Sequence, residues 1–315
     1  MKSSLFPKIK PYDEGFLKVS KIHTLHYEQV GNPKGKPAIF LHGGPGVGII
    51  PEYRRLLDPK FYRIILLDQR GAGKSRPFAE LRENTALHLV EDLEKLRNHL
   101  DIKKWLVTGG SWGSLLALLY AISYPRPVKG IIIRGVCLGR KKENDWLFKP
   151  GGASEIWPDE WEKFVSIIPK NNQDRILHHY YRLLTSKKTQ TEAAKRWSNW
   201  EEAIMSIIPK KRKSSFLDSK KEISFAKTEC HYALHNFFIS PENLILNNAD
   251  KIKNIPVYII QGRYDTICPM SSAWDLHKAL PKSKLVIVPL GSHTPFDEAM
   301  TSELIKAQEK FKKIW

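Results

Sequence analysis

The chain has 315 residues, 42% of them hydrophobic, and carries a formal net charge of +18 at pH 7. That length holds one large α/β domain with an insertion, or two modest domains, and the composition is ordinary for a globular protein. Three cysteines, Cys137, Cys230 and Cys268, are an odd count that argues against a disulfide framework and for reduced thiols in the cytoplasm; the lysines of Met1–Lys8 have no apolar core behind them, against a signal peptide, and no apolar run reaches the length of a membrane span.

Leu17, Val19, Ile22, Leu25 and Tyr27 alternate loosely and predict an opening hairpin over 16–30. Pro37–Leu41 is a short apolar run, a buried strand, ending in His42-Gly43-Gly44-Pro45-Gly46. Glycines directly after a strand let backbone N–H groups approach a bound group, as an oxyanion hole requires. His42 is read as a residue that fixes this loop rather than as a general base. Phe61–Leu67 predicts the next strand and runs into Asp68-Gln69-Arg70-Gly71-Ala72-Gly73-Lys74-Ser75. Its tail imitates a phosphate-binding loop, but the position five residues before Gly73 holds Asp68 where that pattern needs glycine, so no phosphate site is expected. Leu89, Leu93, Leu96 and Leu100 recur at helical spacing and predict an amphipathic helix over 84–100.

Trp105-Leu106-Val107 reads as a buried strand and Leu115–Ala121 as a buried helix, with Gly109-x-Ser111-x-Gly113 between them. This is the spacing and the context of a nucleophile elbow, a sharp strand-to-helix turn that lifts a serine hydroxyl above the sheet edge. Val128–Ile133 predicts a further strand. From Gly139 to Asn254 strand-like runs disappear, and Trp146, Trp157, Trp161, Trp197 and Trp200 fall in segments rich in Lys, Glu and Ala, so a helical insertion is expected. Pro256–Ile260 resumes the strand pattern and ends in Gly262-Arg263-Tyr264-Asp265; Lys284–Val288 is the last strand, followed by Gly291-Ser292-His293; a basic amphipathic helix closes the chain over 302–315. Strands alternating with helices imply an α/β fold with a mainly parallel sheet. The expected division is a core of residues 1–138 and 255–315 with an all-helical cap of residues 139–254.

The order Ser111, Asp265, His293 is that of an α/β-hydrolase triad, each residue just past a strand. Serine needs an adjacent base to become nucleophilic, histidine takes and returns that proton near neutral pH, and a carboxylate fixes the imidazole. Taken singly, Asp265 reads equally as a helix cap before Ile267–Trp274, and His293 as a loop histidine.

His42-Gly43-Gly44-Pro45-Gly46, Asp68-Gln69-Arg70-Gly71, Gly109-Gly110-Ser111-Trp112-Gly113-Ser114 and Gly262-Arg263-Tyr264-Asp265 together resemble the motifs of the prolyl aminopeptidases, also called proline iminopeptidases. These are serine peptidases of the α/β-hydrolase fold with a helical cap, and the resemblance spans nearly the whole chain. It implies Ser111 as nucleophile, His293 as base and Asp265 as its orienting acid, with the backbone N–H groups of Gly44 and Trp112 as oxyanion hole. Trp197-Ser198-Asn199-Trp200-Glu201 and Phe225-Ala226-Lys227-Thr228-Glu229-Cys230-His231-Tyr232 resemble two further segments of that family, whose glutamates hold the free amino end of the substrate. The resemblance thus implies Glu201 and Glu229 as amine ligands. A desolvated ammonium needs carboxylate partners, and a buried glutamate pair is relieved by a cation between them. Trp146, Trp200 and Tyr232 are candidates for the wall of a proline pocket. Lys74 stands where that family usually has arginine, Cys230 where it has asparagine, and Ser292 where glycine precedes the histidine.

The expected activity is therefore release of N-terminal proline from small peptides, without cofactor or metal; His231 and His235 stand a helical turn apart but lack the H-E-x-x-H pattern. An esterase or amidase with a different cap specificity is the alternative. The clusters Arg140-Lys141-Lys142 and Lys210-Lys211-Arg212-Lys213 read as solvated surface and no nucleic-acid-binding signature accompanies them, but the charge leaves nucleic-acid or membrane-surface association open.

Overall fold

A computed structural model describes residues 5–207 and 218–315. The Lys210–Lys213 cluster lies outside the described residues. Eight strands form one sheet: β1 (Asp13–Lys18), β2 (Thr24–Gly31), β3 (Lys36–Leu41), β4 (Tyr62–Leu67), β5 (Trp105–Ser111), β6 (Val128–Val136), β7 (Val257–Gly262) and β8 (Lys284–Val288). Their order is β1-β2-β4-β3-β5-β6-β7-β8. The opening hairpin pairs antiparallel, β2 joins β4 antiparallel, and every pairing from β4 to β8 is parallel. Parallel strands buried on both faces need continuous apolar runs, and Ile64–Leu67, Trp105–Val107 and Ile131–Ile133 supply them, all essentially inaccessible.

Helices cover both faces. α1 (Ala86–His99), α2 (Trp112–Ser123) and α10 (Met270–Ala279) share a core with Ile39, Ile65, Val107 and Ile133. α11 (Glu298–Phe311) puts Met300, Leu304 and Phe311 against Phe40, Ile64 and Ile260 on the other. Each such side chain contributes about 1.5–3 kcal/mol when fully buried. Between β6 and β7 the described elements are helical: α3 (Lys141–Phe148), α4 (Ala153–Ile156), α5 (Pro158–Val165), α6 (Ile176–Thr185), α7 (Gln190–Ile204), α8 (Ser219–Leu234) and α9 (Leu244–Asn247), with short 3-10 turns. Phe148, Phe164, Tyr180, Trp197 and Trp200 interlock as their aromatic core.

Where the sequence predicts helix from Asn84, α1 starts at Ala86, capped by Thr85. The stretch 267–274 predicted as helix is helical only from Met270, because Asp265 first closes a turn through the amides of Ile267 and Cys268. β6 runs three residues past Ile133, to Val136.

Candidate active site

The site forms where the parallel strands end. β5 finishes on Ser111 and α2 begins at once with Trp112. Ser111 has φ +59° and ψ −131°, a region that costs a residue with a side chain about 1–3 kcal/mol and persists only where its surroundings enforce it. The glycines enforce it: a Cβ at Gly113 would lie 2.2 Å from the Leu41 carbonyl oxygen, and one at Gly109 2.5 Å from that of Gly113. The next turn is tied down by Ser114, whose hydroxyl donates to the Ser111 carbonyl (2.7 Å) and accepts from the Cys137 amide (3.0 Å).

Asp265 and His293, 28 positions apart in sequence, meet after β7 and β8. His293 Nδ1 lies 2.9 Å and 3.0 Å from the two Asp265 carboxylate oxygens, and both residues are buried. With Nδ1–H donating to the carboxylate, the lone pair sits on Nε2, the tautomer a general base needs. Gln261 at the end of β7 donates to Asp265 Oδ2 (3.2 Å), and the Ile267 and Cys268 amides donate to Oδ1. Asp265 is thus both the turn former and the histidine's partner. Ser111 and His293 do not hydrogen-bond to each other in this structure. They flank the same strand end: Val136 pairs with Ser111, and a Cβ at Gly135 would lie 3.1 Å from His293 Nδ1 and Asp265 Oδ2. Such bonds are often open until substrate binds.

One cavity is bordered by Ser111, Trp112, Gly44 and Glu229 together. Gly44 and Trp112, the expected oxyanion pair, therefore share a space with the serine. Gly43 packs against it, since its Cβ would lie 3.3 Å from that of Ser111. His42 holds the loop as expected: its Nδ1 donates to the Gly43 carbonyl (2.9 Å) and its Nε2 accepts from the Gln69 amide (3.1 Å). Full burial lowers its pKa, so the imidazole stays neutral.

Glu201 on α7 and Glu229 on α8 are buried side by side. Two neighbouring buried carboxyl groups resist ionising together. Desolvation raises Glu201 to about 7, and desolvation followed by the repulsion of Glu201 pushes Glu229 well above the usual carboxylate range. Trp197 Nε1 donates to Glu229 Oε2 (2.7 Å), whereas Glu201 Oε1 is buried with no hydrogen-bond partner among the described residues.

The three aromatics considered from sequence do not border the cavity. Trp146 donates to the Thr266 carbonyl, Trp200 packs on Trp161 and Phe164, and Tyr232 packs edge-on against Trp112 with its hydroxyl on Asn84. Leu147, Phe148 and Phe237 take the wall instead. Gly73-Lys74-Ser75 holds an internal anion: Asp68 accepts from the Lys74 and Ile49 amides and from His26, and a Cβ at Gly73 would collide with it at 2.1 Å. Burial pushes the Asp68 carboxyl up, but these bonds outweigh it and hold it low. Cys230 is buried with its thiol on the Leu177 carbonyl, Lys74 pairs with Glu14, and Ser292 donates to Asp297. His235 Nδ1 bonds the His231 carbonyl, and the His231 ring nitrogens have no partner.

Three residues with positioning geometry carry no role in the sequence reading. Gln69 accepts from Trp112 Nε1 (2.8 Å) and donates to the His42 carbonyl (3.0 Å), joining elbow and glycine loop. Gln261 accepts from the Val136 amide (2.9 Å) while holding Asp265. Arg134, buried without a carboxylate partner at ion-pair distance, donates to the His293 carbonyl (2.7 Å) across Gly110, where a Cβ would be 2.1 Å from its Nε. The available signal was a polar residue ending an otherwise apolar strand, visible at Arg134 and Gln261.

A sequence profile described as the alpha/beta hydrolase fold matches residues 36–299. The solved structures that resemble the chain agree in fold: a carboxylesterase study of Nitrososphaera gargenis (TM-score 0.61, 18% identity, 95% of this chain and 99% of that one) and an esterase from Exiguobacterium antarcticum (0.58, 18%, 95% and 98%). Closer in sequence are three curated relatives. One from Leptolyngbya boryana, named "Probable proline iminopeptidase", is 50% identical over 98% of this chain and 96% of its own length. Proline iminopeptidases of Arabidopsis thaliana (48%, covering 99% and 83%) and of Neisseria meningitidis serogroup B (43%, covering 95% and 96%) follow. At these identities over nearly the full length, the chain belongs to the proline iminopeptidases, within the α/β-hydrolase fold.

Proposed function

We propose that the chain is a serine aminopeptidase that releases N-terminal proline from small peptides, with residues 139–254 acting as a cap domain over the core of 1–138 and 255–315. The relatives' shared name supports the activity. The observation that carries the site assignment is the buried Glu201–Glu229 pair, one member of which borders the same cavity as Ser111. A prolyl N-terminus is a protonated secondary amine with two N–H donors. Glu201 Oε1 supplies an unused acceptor and Glu229 a second. With the amine held there, the carbonyl of the same prolyl residue is presented to Ser111.

His293 Nε2 takes the Ser111 proton as Oγ attacks, and Asp265 stabilises the imidazolium. The carbonyl oxygen becomes an oxyanion facing the Gly44 and Trp112 amides, the latter at the positive end of α2. His293 returns the proton to the leaving amine, and water repeats the sequence on the prolyl ester. None of these steps draws on a metal or a cofactor. The three unpaired thiols fit a reducing compartment, the cytoplasm; no described helix is long and apolar enough to cross a membrane.

The test is arylamine release from prolyl, alanyl and N-acetylprolyl arylamides. The prolyl substrate should turn over fastest. Glu201→Gln and Glu229→Gln should each cut its kcat/KM by about 10- to 100-fold, the loss of a charge-assisted hydrogen bond worth roughly 1.5–3 kcal/mol. Equal cleavage of the acetylated substrate by the wild type would overturn the amine-binding role.

A further inference from the structure

The cavity wall contains a feature that the peptidase reaction does not use. Cys137 lies immediately after β6 and Cys268 three residues after Asp265, yet both border the cavity beside Ser111, and the Gln261 side chain bridges the Val136 amide and the Cys268 carbonyl, holding the two segments side by side. The third cysteine, Cys230, is buried elsewhere and bonds the Leu177 carbonyl. Cys137 Sγ also lies 3.8 Å from Glu143 Oε2.

We propose that Cys137 and Cys268 form an oxidisable dithiol in the wall of the active-site cavity, which peroxide converts to a disulfide that closes the enzyme down. The balance is simple. Cys137, its proton facing the Glu143 carboxylate, attacks one peroxide oxygen; the O–O bond breaks, one water leaves and a sulfenic acid remains. Cys268 then attacks that sulfur, the S–O bond breaks, and the second water leaves. The two thiols lose two electrons and the peroxide gains them. The contact with Cys137, then burial, pushes the Cys268 thiol up, so little thiolate is present and the pair responds to sustained rather than brief oxidation.

The bond would act on the machinery through short, rigid connections. The Cys268 amide donates to Asp265 Oδ1 (2.8 Å), and Gln261 donates to the Cys268 carbonyl (2.7 Å). The same Gln261 accepts from the Val136 amide, next to Cys137, and the Cys137 amide is held by Ser114 of the elbow helix. Drawing the sulfurs to a covalent separation of about 2 Å pulls on both the Asp265 turn and the end of β6, the strand end beside Ser111. A shift of about 1 Å in such a site costs on the order of 100-fold in rate.

The activity readout of this inference rests on the proposed peptidase function; the chemical readout does not. The full-length protein is treated with hydrogen peroxide, then alkylated under denaturing conditions and digested without reductant. The expected result is a Cys137–Cys268 linked peptide, Cys230 still alkylated, prolyl arylamide turnover down about 10- to 100-fold, and recovery with dithiothreitol. Cys137→Ser and Cys268→Ser, each compared with its own untreated activity, should yield no linked peptide and no dithiothreitol-reversible loss. Thiols of Cys137 and Cys268 that remain separately alkylatable after treatment, or reversible inhibition of Cys137→Ser equal to that of the wild type, would overturn the inference. Absence of prolyl turnover before any oxidant is added would count against the functional reading instead, and the linked peptide would still decide the disulfide.

Discussion

Glu201, the proposed amine ligand, sets a cost that the resting protein bears. Its carboxyl is raised by burial from 4.5 to about 7. The stability this group lends is fully present below about pH 4.5 and is lost as pH rises through 7, because the folded form resists ionisation there. Glu201→Gln cannot ionise and should escape that loss. Urea unfolding should find the variant more stable than wild type by about 1–3 kcal/mol at pH 8, with the gap closing at pH 5. A gap of the same size at both pH values would mean that Glu201 is not the titrating group. The residues that the sequence singles out are those whose type is unusual in its setting: a serine between glycines, an aspartate and a histidine past apolar strands. Gln69 was not legible, since its work depends on Trp112 and His42 coming together from separate strands.

The elements hold the site through a few polar ties between segments far apart in sequence. Met205, which ends α7 one turn past Glu201, accepts from the His293 amide, and Ser224 on α8 reaches the Gly46 and Gly71 carbonyls. The two glutamate helices are thus fastened to the base loop and the glycine loop. Arg70 makes the corresponding tie below: its guanidinium binds both Asp92 carboxylate oxygens (2.6 and 2.7 Å), with both residues almost wholly buried. Removing Asp92 leaves the buried guanidinium with only the distant, half-exposed Glu83 carboxylate at 3.9 Å. Asp92→Ala should therefore lose about 3–5 kcal/mol by chemical denaturation, whereas a loss below 1 kcal/mol would mean that Arg70 finds water or another partner. Strands were readable because apolar runs buried on both faces leave a continuous signal, down to the opening hairpin. The wall of the cavity was not. Trp146, Trp200 and Tyr232 are as aromatic as Phe148 and Phe237, and which of them faces the cavity depends on how the helices settle on the core.

For the whole molecule, the parallel sheet gathers three loops at one edge and the helical segment between β6 and β7 brings acidic groups over it. That arrangement follows from topology, since residues 111, 265 and 293 lie at or past the carboxyl ends of the parallel strands β5, β7 and β8. The chain carries 51 basic against 33 acidic residues, while the charged residues that line the cavity are Glu143 and Glu229. Such a field should speed capture of acidic peptides. At low ionic strength kcat/KM for a prolyl-glutamyl peptide should exceed that for prolyl-lysine by about two- to tenfold, and the difference should vanish at about 0.5 M salt; a salt-independent preference would place the discrimination in direct contacts. The central claim is that Ser111 is the nucleophile of a prolyl aminopeptidase. Turnover of a prolyl arylamide by Ser111→Ala, shown folded by circular dichroism, tests it most directly. The account predicts a fall in kcat of about ten-thousand-fold or more, and a folded variant that turns over within tenfold of wild type would contradict it.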